Sequence, residues 1–386
     1  MRHFYGSVLF VLLTAACVKA TTPEPAHVDV HVSDAGVSEK LDTGLPDVQM
    51  SPKSYVVSTL AGTGKEGDAN GPGSKATFNS PYGIAIGPDG SLYVADRDNN
   101  KIRRIAVDGT VSTYAGTGDG DLTDGPCATA TFSWPWGIAV DANGSVYVAD
   151  YGNHAIRKIT ATPTCQVSTL ADADSVISDA TSRFNPTGLT LDASGNIYFV
   201  DRGHHKIRKV ALDGRVTTIA GTGATGDIDE PTRNGPAQNA TFSYPVGITA
   251  DAEGTLYVVE ERNGDIRKIT TDGQVSNLAV SVIDDTSTHA TFWDSYDITI
   301  DANGNFLVAN TYNNAVCKIT SAGEVTTIAG RQRAEYSDRG VVGDADGPAD
   351  TATFKGPSGV TVSPRGVMYV ADTRNNKIRK IEPVYR

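Results

Sequence analysis

A phrase of the form Tyr-Val-Ala-Asp, followed by Asn and Ile-Arg-Lys, recurs in six versions along this chain, each time inside a longer repeat. In the first copy Pro81-Tyr82-Gly83-Ile84-Ala85-Ile86 precedes Leu92-Tyr93-Val94-Ala95-Asp96. Asn99-Asn100-Lys101-Ile102-Arg103-Arg104-Ile105 and then Val111-Ser112-Thr113 follow. The residue closing the second block is Asp96, Asp150, Asp201, Glu260, Asn310 and Asp372 in turn, at intervals of 54, 51, 59, 50 and 62 residues. A repeat of this length that carries strands signals a radial array, because each unit can bury its faces only against its neighbours. The repeat therefore makes one large domain out of a length that would otherwise suggest two or three.

Each unit holds four strand-like blocks. In the second unit they are Gly137-Ile138-Ala139-Val140-Asp141, a block after the tight turn Asp141-Ala142-Asn143-Gly144, then Ala155-Ile156-Arg157-Lys158-Ile159, and Val167-Ser168-Thr169-Leu170. Turns of this composition favour hairpins, and four consecutive antiparallel strands make one propeller blade. The sixth unit stops after its third block, Ile378-Arg379-Lys380-Ile381, while an unattached fourth block, Val56-Val57-Ser58-Thr59-Leu60, stands at the start of the domain. The chain is therefore expected to be all-β, a six-bladed β-propeller with four antiparallel strands per blade. The N-terminal strand closes the last blade, which removes two free sheet edges.

Three segments follow: 1–17, a signal peptide with a lipobox-like end; 18–54, a disordered tether; and 55–386, the propeller. Met1-Arg2-His3 supplies a positive start and Val8 to Ala16 an apolar core too short to span a bilayer. Two processing sites compete. Leu13-Thr14-Ala15-Ala16-Cys17 resembles a bacterial lipobox, with Thr14 as a departure, and would make Cys17 a lipidated N-terminus. Val18 and Ala20 would instead suit ordinary cleavage after Ala20. Either route takes the chain out of the cytoplasm. The tether is rich in Thr, Pro, Asp, Glu and Val without periodicity, and flexible residues in that number span about 35 Å on average. His27 and His31 within it read as solvated imidazoles.

Three further cysteines remain, and three cannot all pair within one chain. Cys317 stands where other units carry Arg, inside a strand, and reads as a buried thiol. Cys127 and Cys165 flank the second repeat, in loops expected on opposite faces, which weighs against their pairing. The formal charge of −12 argues against a nucleic-acid partner, since phosphate binding relies on clustered Lys and Arg with a net basic field.

Tyr-Val-Ala-Asp, the following Asn, and Asn153-His154-Ala155-Ile156 in the second unit resemble the NHL repeat. So does the loop pattern Ala-Gly-Thr-Gly … Ala-Thr-Phe … Pro-x-Gly-Ile-Ala, nearly whole at 115–139 and 220–249. The resemblance covers the chain from Tyr55 onward. It implies a six-bladed β-propeller and no single activity: the family includes protein-binding modules, sensor domains of receptor kinases and a metal-dependent lyase. The lyase's metal-binding histidines have no residue-by-residue match here.

In such a fold the loops between strands two and three, and those between blades, emerge on one face, the expected binding surface. The register residues Asp96, Asp150, Asp201, Glu260, Asn310 and Asp372 offer either a ring of ligands or partners for Arg103, Arg157, Arg208, Arg267 and Arg379; acid and Arg recur together, which favours pairing. A second set, Tyr82, Trp136, Thr187, Val246, Tyr296 and Ser358, begins each innermost strand, and its aromatics suit stacking on a sugar or another flat ligand. Phe78, Phe132, Phe184, Phe242, Phe292 and Phe354 occur in every unit and read as wedges. Asp119, Asp121 and Asp124 offer oxygens at the spacing of a calcium loop but lack the closing Glu of an EF-hand. His154, with His204 and His205, raises the question of zinc across two blades. Units four and five depart most from the repeat, at Glu260-Glu261-Arg262, His289, Trp293-Asp294, Asp297 and Asn310.

The rim candidates for ligand binding are therefore Tyr82, Trp136, Tyr296, Trp293, Glu260 and Asn310, with Asp119, Asp121 and Asp124 as weak candidates for Ca2+. The leading reading is an exported, lipid-anchored, non-catalytic module for a protein, peptide or glycan. The alternative is a Ca- or Zn-dependent propeller hydrolase or lyase.

Overall fold

The computed structural model describes residues 52–161, 163–172, 184–211, 213–226, 233–279, 292, 294–331 and 340–385. Cys17, the tether, His289 and Trp293 lie outside the described residues. The fold is an all-β propeller of six small antiparallel sheets arranged around a central channel. Blade one comprises Pro81–Ile86, Leu92–Asp96, Lys101–Ile105 and Thr110–Ala115, from the channel outward. The burial pattern follows from that order. Leu92–Asp96 and Val146–Asp150 are buried at every residue, because neighbouring blades cover both of their faces. The outermost Thr110–Ala115 exposes Thr110 and Ser112 and buries Val111 between them, the alternation of a half-covered strand.

Each hydrophobic cluster straddles a seam between blades. One joins Tyr93, Ala95 and Ile102 of blade one to Phe132, Val148 and Ile159 of blade two. The six phenylalanines foreseen as wedges, Phe78 to Phe354, are all 0% exposed. Nearer the channel the innermost strands approach so closely that a Cβ on Gly83 would lie 2.4 Å from the Trp136 carbonyl oxygen, and one on Gly137 2.3 Å from that of Thr187. The blade-five position of this glycine ring holds Asp297.

Closure occurs as the displaced block implied. Ser54–Ala61 pairs antiparallel with Lys377–Val384, Val57 opposite Ile381, and so supplies the outer strand of blade six. Ala61, Ala371 and Ile378 then pack with Phe78, Ile84 and Val94 of blade one.

Two findings depart from the sequence reading. Four blades carry an additional two-residue strand, Gly71–Pro72, Gly125–Pro126, Gly235–Pro236 or Gly347–Pro348, on the outer edge. Proline suits such an edge because it has no N–H to contribute to a ladder. The second departure follows from the first: Cys127 and Cys165, expected on opposite faces, form a disulfide with 5.5 Å between their Cα atoms. The short strand runs back along Gln166–Ala171 with Pro126 opposite Gln166, and the Cys127 amide donates to the Cys165 carbonyl at 3.1 Å. Cys317 is a buried free thiol, its pKa pushed up to about 11 by burial.

Candidate binding site at the mouth of the channel

The register residues are the place to begin, since their neighbours define the mouth. Asp96 is 0% exposed and accepts from Arg103 at 2.7 Å, from the Asn79 amide at 2.8 Å and from Asn99 at 2.8 Å. Arg103 also donates to the Thr77 and Ala69 carbonyls and to Asn70, and its guanidinium lies 5.2 Å from the centre of the Phe78 ring. Blades two, four and six repeat this arrangement of Phe, Arg and acid: Phe132, Arg157 and Asp150; Phe242, Arg267 and Glu260; Phe354, Arg379 and Asp372. In blade three Arg208 donates to Asp201 at 2.7 Å. Blade five replaces the ion pair with the neutral contact of Asn310 to Cys317, 3.7 Å from nitrogen to sulfur. A buried charge stays charged at low cost only when its partner and hydrogen bonds are complete, and a change to both members preserves that balance.

Glu260 and Asn310, assigned to the rim from the sequence, are therefore corrected: they are 0% and 1% exposed and face each blade's own third strand. Burial pushes Glu260 up to about 7 against the pull of Arg267. The histidines of the NHL slot act as latches between blades. His154 Nδ1 meets the Phe184 carbonyl at 2.9 Å, and His205 Nδ1 meets the Tyr244 amide at 3.2 Å. Asp124 is engaged by Arg157 at 2.7 Å and by Thr169, while the Asp119 carboxylate accepts from Thr117 and the Asp121 carbonyl accepts from Thr131 and Asn153. Among the described residues no group of three or more His, Cys, Asp or Glu gathers where a metal ion fits.

The aromatic set behaves differently. Tyr82, Trp136 and Tyr296 converge across the channel from three blades, with ring centres 4.5, 6.0 and 6.1 Å apart, and Tyr151 joins at 5.3 Å from Trp136. The other members of that register are sealed away: Thr187 and Val246 are 0% exposed, Ser358 4%. Below the rings the cavity is lined by the glycine ring, Asp297 and Ser358, and its interior of about 20 Å³ has room for one or two waters. Nothing larger than water fits inside this cavity. Asp297 accepts from the amides of Val360 at 3.0 Å and Ile298 at 2.9 Å, and burial pushes its carboxyl up to about 7.

The residue after the register position, of which the sequence reading singled out Glu261 alone, is Arg97, Tyr151, Arg202, Glu261, Thr311 and Thr373 in turn, and the first four lie near these rings. Arg97 places its guanidinium 5.1 Å from Tyr82, 5.3 Å from Trp136 and 5.6 Å from Trp134. Arg202 is paired with Glu261 and lies 5.3 Å from the Tyr244 ring, with Arg262 at 5.0 Å. Thr311 and Thr373 instead donate to the Pro357 and Pro81 carbonyls, each at 2.6 Å. Trp134 and Tyr244 hold φ of 48° and 47°, and Trp134 remains 50% exposed. The same left-handed conformation recurs at Ser80, Asp294 and Gly356 in the matching turn of other units, so it belongs to the repeat. The available signal was variation: this position changes residue type from unit to unit where its neighbour is acidic in five units of six.

The fold agrees with the comparisons to known proteins. The NHL repeat family model matches residues 78–105 and 132–159, and a Teneurin NHL domain model matches 274–382. The chain is an NHL-repeat β-propeller of six blades. Teneurin-3 of Mus musculus is 26% identical over 295 residues, covering 66% of this chain and 10% of its own length, so the chain spans about a tenth of that relative. A structural genomics protein of unknown function from Bacteroides thetaiotaomicron superposes with a TM-score of 0.64 at 21% identity, covering 85% of this chain and 76% of that one. An auxiliary nutrient binding protein from Bacteroides ovatus gives 0.60 at 17%, covering 87% and 77%.

Proposed function

We propose that this chain is an exported, non-catalytic binding module, held at a membrane by a lipid on Cys17, that takes a protein, peptide or glycan on the loop face around its channel mouth. The observation that carries the reading is the convergence of Tyr82, Trp136 and Tyr296 from three blades under the Arg97 guanidinium. Large rigid aromatics beside arginine are the residue types that dominate binding energy at interfaces. Polar groups around them are engaged with protein partners, Glu261 with Arg202 and Thr373 with the Pro81 carbonyl, which suits holding a ligand rather than moving its protons. The disulfide of Cys127 and Cys165 supports export, because such bonds persist in oxidising compartments. A fold relative described as an auxiliary nutrient binding protein is consistent with this role, at an identity that speaks to fold alone.

The test is a glycan and peptide array probed with the tether-free domain and with Trp136→Ala. Ligands retained by the first and lost by the second are expected; an unchanged pattern overturns the site. Cys17→Ser is expected to release the protein from membranes, and unaltered fractionation overturns the anchor.

A further inference from the structure

Arginines outnumber carboxylates at the mouth, where Asp98, Glu261 and Asp294 lie among them. The chain has a formal net charge of −12, yet four arginines, Arg97, Arg202, Arg262 and Arg374, gather around the channel opening. The first three stack on Tyr82, Trp134, Trp136 and Tyr244. Arg374 lies over Gly356, and its charge reaches the Tyr82 hydroxyl. Arg202 is paired with the Glu261 carboxylate. Arg97 has Asp98 at 3.5 Å and a buried Nε with no hydrogen-bond partner, and among the described residues Arg262 and Arg374 have no ion pair.

A guanidinium stacked on an aromatic face keeps its in-plane N–H edge for an acceptor, and that fork matches a carboxylate. The adjoining surface is shallow and aromatic: Trp134 is half exposed, and the channel beneath holds no more than water. A pyranose ring presents a flat face of C–H groups to such a surface and directs its hydroxyls outward, whereas a peptide side chain needs a pocket that this depth does not supply. The overall negative charge repels a polyanion at long range.

Resting on the binding role proposed above, we infer that the mouth recognises a glycan bearing an isolated carboxylate, a uronic-type sugar, with its ring against Trp136 and Trp134 and its carboxylate on Arg97 and Arg374. The experiment titrates the full chain with a glucuronate-terminated disaccharide and with its methyl ester, following tryptophan fluorescence. The acid is expected to bind at least about tenfold tighter than the ester. Arg97→Gln with Arg374→Gln is expected to erase that preference while the melting temperature holds, and Trp136→Ala to weaken both ligands. Equal affinity for acid and ester overturns the inference; if Trp136→Ala still removes both, the binding site stands and only the ligand class fails. Binding of an acidic peptide through Arg97, with no response to either sugar, also overturns it. Sugar binding indifferent to Trp136→Ala overturns the site itself.

Discussion

Two rings of residues, one position apart in every unit, differ in almost every physical respect. The inner-facing partner of the third strand (Asp96, Asp150, Asp201, Glu260, Asn310, Asp372) is buried, and the acids among them are paired with arginine. The next residue (Arg97, Tyr151, Arg202, Glu261, Thr311, Thr373) varies from cation to aromatic to acid to hydroxyl; the first three are partly exposed, while Glu261 and the two threonines are buried. The first ring closes a strand and is held by the strand beside it, while the second lies in the turn that follows, outside the ladder. A propeller can thus hold one ring nearly constant for assembly while the residue beside it varies from blade to blade.

Breaking the assembly side carries the largest expected effect. Deleting residues 54–61 removes the outer strand of blade six and with it the contact to blade one, so cooperative unfolding should vanish. A truncated protein with the original melting temperature would sink ring closure. Next, Arg157→Met leaves Asp150 buried without its guanidinium and should cost about 3–5 kcal/mol, read from the denaturant midpoint, with ligand binding by the folded fraction unchanged. Blade five sharpens the point. Asn310→Asp alone should destabilise, and Cys317→Arg added to it should recover stability, a coupling of about 1–3 kcal/mol in a double-mutant cycle; additive effects would mean that the two positions do not form a pair.

Two smaller effects probe the mouth side. Asp297 has a folded pKa of about 7 against an ordinary 3.8, so the folded state binds the extra proton. Its contribution is fully present below the ordinary value and is lost as pH rises through 7. Asp297→Asn should flatten that fall, measured as melting temperature on either side of the window; an unchanged slope would assign it to other groups. Finally, Arg97→Gln should alter stability by no more than about 2 kcal/mol, since it removes a partly buried cation–π contact rather than a buried pair. A loss comparable to that of Arg157→Met would move Arg97 into the scaffold.

The parts of the molecule legible in the sequence were those that recur. The phenylalanine wedges, the acid–arginine pairing and the displaced block at 56–60 could each be found by setting one unit beside another. Glu260 and Asn310 misled because a departure from the repeat was taken as a sign of the rim. Both are substitutions within a buried contact, Glu reaching Arg267 as Asp reaches its own Arg, and Asn matched to a thiol. Arg97 and Trp134 were passed over because their neighbours on the mouth come from other blades. The disulfide was misjudged because a two-residue Gly-Pro strand is too short to leave a periodic pattern.

The sequence by itself determined the number of blades, the strand order within them, the closing strand and the buried acid–arginine pairs. All of these are contacts within one unit or between adjacent units, so the repeat writes them out each time. Only the tertiary structure decided which variable residues meet at the mouth, how little room the channel leaves, and that Cys127 reaches Cys165. Those contacts form where the ring or a sheet edge brings distant residues together, and no spacing along the chain encodes that convergence.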